Sequence, residues 1–73
     1  MEETIELIFE LARQQNLNIG SFLELRPLAF NPNPVIRNNL QNAFEELFDD
    51  GIFENVNGTP RLTERGFNEI WNQ

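Results

Sequence analysis

The sequence predicts a mostly α-helical domain with a small β-hairpin ahead of its last helix. Three observations carry this. Three stretches, 2–16, 34–50 and 64–72, repeat apolar residues at the helical period. An Asn57-Gly58 pair stands between two short β-prone runs, which is a strong hairpin signal. The chain has 73 residues, 40% of them apolar and seven of them Phe, enough for one hydrophobic core and not for two. One domain, 1–73, follows.

The first helix is expected over 2–16. Ile5, Ile8, Phe9 and Ala12 form its main stripe, and Leu7 and Leu11 widen the apolar arc to roughly 200°. Glu3, Glu6, Glu10 and Arg13 fill the other side, with acids in the first turns where the helix dipole favours them. Residues 17–20 are a break with a short extended piece at 18–19. Ser21 and Glu24 have the spacing of a capping box, so a second short helix is expected over 22–26. Pro27 should interrupt it, because proline lacks an N–H and clashes with the preceding turn. An irregular turn through Leu28-Ala29-Phe30 and the Asn31-Pro32-Asn33-Pro34 punctuation follow.

Asn33 reads as an N-cap with Pro34 at the first helical position. The third helix then runs over 34–50 on a stripe of Ile36, Leu40, Ala43, Phe44, Leu47 and Phe48, and stops at Gly51. Strands are expected at 52–56 and 59–62, with Pro60 suggesting an edge or a longer loop because it cannot donate to a ladder. Thr63 caps a last helix, 64–72, with Leu62 and Phe67 at the hydrophobic-staple positions. Gly66 weakens that helix, and close approach to a neighbouring backbone is the expected reason. The core should hold Ile5, Ile8, Phe9, Phe22 and Leu40. Phe44, Leu47, Leu62, Phe67 and Ile70 should complete it.

Composition removes several kinds of chemistry. There is no Cys, His, Lys or Tyr. Disulfides, thiolate or imidazole metal sites, Cys or His nucleophiles and Ser-His-Asp arrangements are therefore excluded. Glu45, Glu46, Asp49 and Asp50 follow helical spacing and lack the glycine turn and alternating oxygens of a calcium loop. No enzymatic role, cofactor or metal is expected. No apolar run reaches the ~18 residues of a membrane span, and the acidic N-terminus lacks a signal peptide's basic character. A cytoplasmic protein without a membrane partner is the expectation. Asn57-Gly58-Thr59 fits a glycosylation sequon but reads better as a turn.

The order helix, helix, helix, strand, turn, strand, helix resembles a winged helix-turn-helix domain of the small prokaryotic or phage type. Residues 40–71 carry the resemblance: Leu40, Phe44, Leu47, the Asp50-Gly51-Ile52-Phe53 step, the Asn57-Gly58 hairpin, and Leu62-Thr63-Glu64-Arg65-Gly66-Phe67 with Ile70. Residues 17–32 depart from the family pattern at Pro27. A small all-helical domain is the alternative, and a hairpin at 57–58 decides between them. The resemblance implies a DNA-binding or transcription-regulatory protein that uses helix 34–50 and the wing, 52–62.

The residues themselves leave two functions open. Outward positions in the first turns of the third helix hold Val35 and then Asn38, Asn39, Gln41 and Asn42, amides of the kind that pair with adenine in the major groove. Arg37 beside them and Arg61 past the wing tip would meet the backbone. Equally, these are ordinary solvated amides in a chain with eleven Asn.

The net charge is −7. Residues 1–10 carry −4 and residues 45–54 carry −5, with +2 on residues 11–44. Acids at the end of the third helix oppose both phosphate and the helix dipole. DNA binding by a monomer is therefore expected to be weak. The alternative function is an acidic protein-interaction module that does not bind DNA. Its surface would be Glu45, Glu46, Asp49 and Asp50 with the apolar flank of the first helix. Leu7 and Leu11 on that flank, joined by Trp71, further suggest a homodimer.

Overall fold

A computed structural model describes residues 2–72, which form four helices and one antiparallel hairpin. In chain order these are α1 (Glu2–Gln14), α2 (Arg26–Ala29), α3 (Pro34–Asp49), β1 (Phe53–Val56), β2 (Thr59–Leu62) and α4 (Glu64–Trp71). The long α3 packs on α1, α2 and β1, and α1 also packs on α4. Among the described residues no helix is long and apolar enough to cross a membrane.

Both long helices end in the same device. Asn16, with φ 52°, stops α1 two residues before the expected end. The Leu17 N–H donates to Ala12 O and the Asn16 N–H to Arg13 O, each at 3.0 Å. Gly51, with φ 75°, stops α3 in the same way. There the Ile52 N–H donates to Leu47 O at 2.9 Å and the Gly51 N–H to Phe48 O at 3.1 Å. Each is a Schellman pair closing the orphan carbonyls of a helix end. At the other end of α3, Asn33 Oδ1 accepts the Val35 N–H at 2.9 Å with Pro34 in the first turn.

The segment 20–26 differs from its sequence reading. Ser21 does not cap a helix. The Gly20 N–H donates to Leu62 O, the Leu62 N–H to Ser21 O and the Leu23 N–H to Pro60 O, at 2.8, 2.9 and 3.0 Å. Phe22 thereby forms an antiparallel bridge with Arg61, and the segment is a short third strand beside β2. The Gln15 side chain adds to it, accepting the Glu24 N–H and donating to Glu24 O. The helix begins later, at Arg26, with Pro27 in its first turn. Proline is welcome there and would cost about 3 kcal/mol in a helix interior. Strand alternation turns Leu23 inward and leaves Phe22 49% exposed, so Phe22 is not a core residue.

The hairpin pairs Phe53 with Leu62, Glu54 with Arg61, Asn55 with Pro60 and Val56 with Thr59. Asn57 and Gly58 both have positive φ, 53° and 85°, as a type I′ turn requires. In a two-residue hairpin the closing pair, Val56 and Thr59, is hydrogen-bonded, so the Pro60 nitrogen faces away from β1. Pro60 therefore sits inside the middle strand without breaking the β1 ladder, where an edge position or a longer loop was expected.

Thr63 is the hinge between hairpin and α4. Its Oγ1 accepts the Gly66 N–H at 2.9 Å and donates toward the carbonyls of Gly51 and Ile52. The core gathers Ile8, Leu11, Ala12 and Leu17 from the N-terminal part with Ala43, Phe44 and Leu47 of α3. Phe53 and Leu62 of the hairpin and Ile70 of α4 close it. Phe44 meets Phe53 edge-on, ring centres 6.1 Å apart. Ile5, Phe9, Leu40 and Phe67 pack half-buried at its margins. The buried face of α1 is Thr4, Ile8, Leu11 and Ala12, turned toward Leu11 from the expected stripe because α3 and α4 cover that side.

Candidate functional site

The first turns of α3 present Arg37, Asn38 and Asn42 to solvent, with Asn39 half-buried beside them. Gln41 is exposed and faces the hairpin, where it lines a groove together with Asn55 and Gly58. The fold thus brings Gln41 to the hairpin tip, while Asn38 and Asn42 lie on the adjoining stripe. Arg61 stands on β2, on the outer face of the hairpin with Phe22 and Glu54.

Arg37 and Arg61, the cations expected to meet phosphate, already have partners, and so do Arg26 and Arg13. Arg61 forms an ion pair with Glu54 directly across the strands. The Arg37 Nη1–H donates to Asn31 O at 2.6 Å, which ties it to the turn before α3. Arg26 pairs with Glu24 at 2.9 Å, and Arg13 Nε–H donates to Ile70 O at 3.0 Å. Hydrogen bonds from the Arg26 side chain and then its backbone N–H hold the Glu24 carboxyl below the ordinary glutamate range.

The helical period places the acids on the same stripes as the amides. Residues 38, 41, 42, 45 and 49 share one side of α3, and 39, 42, 46 and 50 share the next. Glu45 follows Gln41 by one turn, about 6 Å along the axis. Glu45, Glu46, Asp49 and Asp50 are all exposed. Among the described residues no three acidic side chains converge as metal ligands.

The groove beside them is apolar. Leu25 and Ala29 line it from the α2 side, Leu40, Phe44 and Phe48 from α3, and Pro60 from β2. Glu45 and Gln41 form its α3 edge, and its volume is about 380 Å³. No family model, curated protein or solved structure matches this chain.

The terminal helices offer less surface than their sequence implies. Leu11 is 8% exposed and belongs to the core, which removes it from a partner surface. Trp71 is 39% exposed, but its indole N–H donates to Leu17 O at 3.1 Å and its ring lies against Phe67. It pins α4 to the turn after α1. Leu7 stays half-buried on the flank of α1 that faces Asn31, Asn33 and Ile36 and, below them, Pro27 and Leu28.

Sequence reasoning missed the groove and the exposure of Phe30, 79%. A signal for Phe30 was available, since it lies outside every periodic stripe. Val35, 59% exposed, faces outward as its place off the α3 stripe implies.

Proposed function

We propose that this chain is a small winged-helix domain whose α3 and hairpin surface takes a protein partner, and that it works in the cytoplasm. The element order supports the winged-helix part: a helix, a strand stub, a short helix and a long helix precede the hairpin. The observation that carries the interaction part is the apolar groove between α3 and the hairpin with Glu45 at its edge. That is the face a DNA-binding version would turn to the major groove. There a carboxylate would meet phosphate repulsion, and an apolar recess would find nothing to bury.

One observation favours DNA as a second reading. Asn38, Gln41 and Asn42 are exposed side by side on α3, with both hydrogen-bonding ends of each amide available to base edges. A titration of ¹⁵N-labelled protein with mixed-sequence duplex DNA at ~50 mM salt separates the readings, because cationic contacts are strong there. The interaction reading expects no amide shifts. Shifts confined to residues 35–42 and 57–62 that vanish as salt rises would replace it with the regulator.

A further inference from the structure

We infer that the groove between α2, α3 and the hairpin is the docking site for a short segment of a partner protein that carries an apolar anchor flanked by Lys or Arg. This rests on the interaction reading and gives it a site and a partner chemistry.

The groove exists because α2 is short. Leu40, Phe44 and Phe48 follow one another at four-residue steps along α3, a stripe about 12 Å long. A helix of four residues spans only about 6 Å. Glu24 caps it at one end, where its carboxylate accepts the Arg26 N–H at 3.0 Å, and the Asn31-Pro32 punctuation follows its other end. So α2 covers part of the stripe, and Leu40 and Phe48 remain half-buried. The volume of about 380 Å³ lies at the small end of ligand pockets. It suits one or two large apolar side chains, not the face of a long helix.

Charge selects among apolar segments. Among the described residues no cationic side chain lines the groove, and Glu45 stands in its wall. Asp49 continues the Glu45 stripe, and Glu46 and Asp50 flank it at the carboxyl end of α3, where the helix dipole adds negative potential. An apolar anchor with basic neighbours gains attraction from this field, while an acidic segment of equal hydrophobicity is turned away. Gln41 and Asn55 at the rim can donate to and accept from a peptide backbone laid across the opening.

The test is a selection of phage-displayed random 12-residue peptides on the immobilised intact protein, followed by titration of the enriched peptides as synthetic molecules. Two variants accompany the wild type: Ala29→Trp, which fills the groove from an exposed position, and Glu45→Lys. Both are checked for an unchanged amide spectrum in α1 and α4. The inference expects enriched sequences with a Leu, Phe, Met or Trp anchor beside Lys or Arg, and shifts in residues 40–48 and 55–60. Ala29→Trp should weaken binding at least about tenfold. Glu45→Lys should weaken it severalfold at low salt, with the difference shrinking as salt rises. Enriched peptides that bind Ala29→Trp as well as wild type, and shift residues of α3 or the hairpin outside the groove, would overturn the groove while leaving the interaction reading standing; shifts confined to other elements would overturn both. No enrichment together with DNA-induced shifts at 35–42 and 57–62 would overturn both. No enrichment and no DNA shifts would overturn the groove alone.

Discussion

A Cβ placed on Gly66 would lie 2.0 Å from the carbonyl oxygen of Ile52 and 2.8 Å from Leu62 Cδ1. The backbone of α4 therefore touches the backbone that leads into β1, and no side chain fits between them. Gly66→Ala should gain about 1 kcal/mol of helix propensity and still lose stability. The contact is with backbone, which cannot rotate away, so α4 must shift and Ile70 with it. We expect a net destabilisation of about 3 kcal/mol in urea unfolding, at the upper end of overpacking penalties. An alanine variant as stable as wild type would show that α4 does not dock this closely.

The segment 20–26 yields a pair of opposite outcomes. If Ser21 capped a helix, Ser21→Ala would cost about 1 kcal/mol. Its role in the third-strand stub is carried by its backbone carbonyl, so Ser21→Ala should change stability by less than about 0.5 kcal/mol. Leu23 is buried in the core, and Leu23→Ala should cost about 2–5 kcal/mol. Equal and small effects at both positions would return the segment to a solvent-exposed helix.

That segment also marks where legibility ended. Asn33-Pro34, Gly51, Asn57-Gly58 and the cap that Thr63 places on Gly66 act on backbone within four residues of themselves, and each does what its local chemistry dictates. The Ser21 and Glu24 spacing is just as local, but it competes with a strand partner almost forty residues further on. Hydrogen bonding to both edges of β2 and burial of Leu23 prevail, and no short-range pattern announces them. The groove is hidden for a related reason, since it follows from the difference in length between α2 and α3 and not from any motif. For Leu11 the signal was ambiguous. A 200° arc contains more than one helical stripe, and only the positions of α3 and α4 decide which is covered.

The Glu24 carboxyl should titrate below the ordinary glutamate range, because the Arg26 guanidinium and backbone N–H both donate to its charged form. A depressed folded-state value means that the contact contributes stability above the unfolded value and loses it as pH falls through the lower, folded one. Both side chains are exposed, so the titration itself is the better measurement than unfolding. Carboxyl ¹³C shifts followed from pH 6 to pH 2, a window around the ordinary carboxylate range, should place the Glu24 midpoint below the ordinary glutamate value. Arg26→Ala should move it upward part of the way, since the backbone donor remains. An unchanged midpoint in that variant would remove Arg26 as the cause.

Association through α1 should be absent. With Leu11 in the core and Leu7 turned toward Ile36 and Leu28, the outer side of α1 offers mainly Glu3, Glu6 and Glu10. A two-fold contact would set this acidic surface against its own copy, a like-charge juxtaposition with little apolar area to offset it. Sedimentation at high micromolar concentration should report a monomer. Leu7→Glu should leave that mass unchanged and cost about 1–2 kcal/mol from the half-buried contact it removes. A wild-type dimer that Leu7→Glu dissociates would restore α1 as an interface.

The salt dependence of residual DNA binding measures how firmly the arginines are engaged. Each phosphate neutralised on duplex DNA contributes about −0.9 to the slope of log affinity against log salt. If Arg26, Arg37 and Arg61 all met phosphate, the slope would be about −2.7. Arg61 faces Glu54 across the hairpin and Arg26 faces Glu24, and each must leave a carboxylate before it can meet a phosphate. Such exposed pairs are weak, yet the carboxylates they leave would face the same phosphates. Arg37 is held only by a neutral carbonyl, so the wild-type slope should lie near −0.9. Glu54→Gln keeps the size of the side chain, removes its charge and frees Arg61. The slope should then steepen by about 0.9, with little change in stability. Fluorescence anisotropy on a labelled mixed-sequence duplex between ~20 and ~200 mM salt, where cationic contacts change most visibly, reads both values. A wild-type slope steeper than about −2.7 would require more phosphate contacts than these three arginines can make. That result would place α3 on DNA in spite of Glu45.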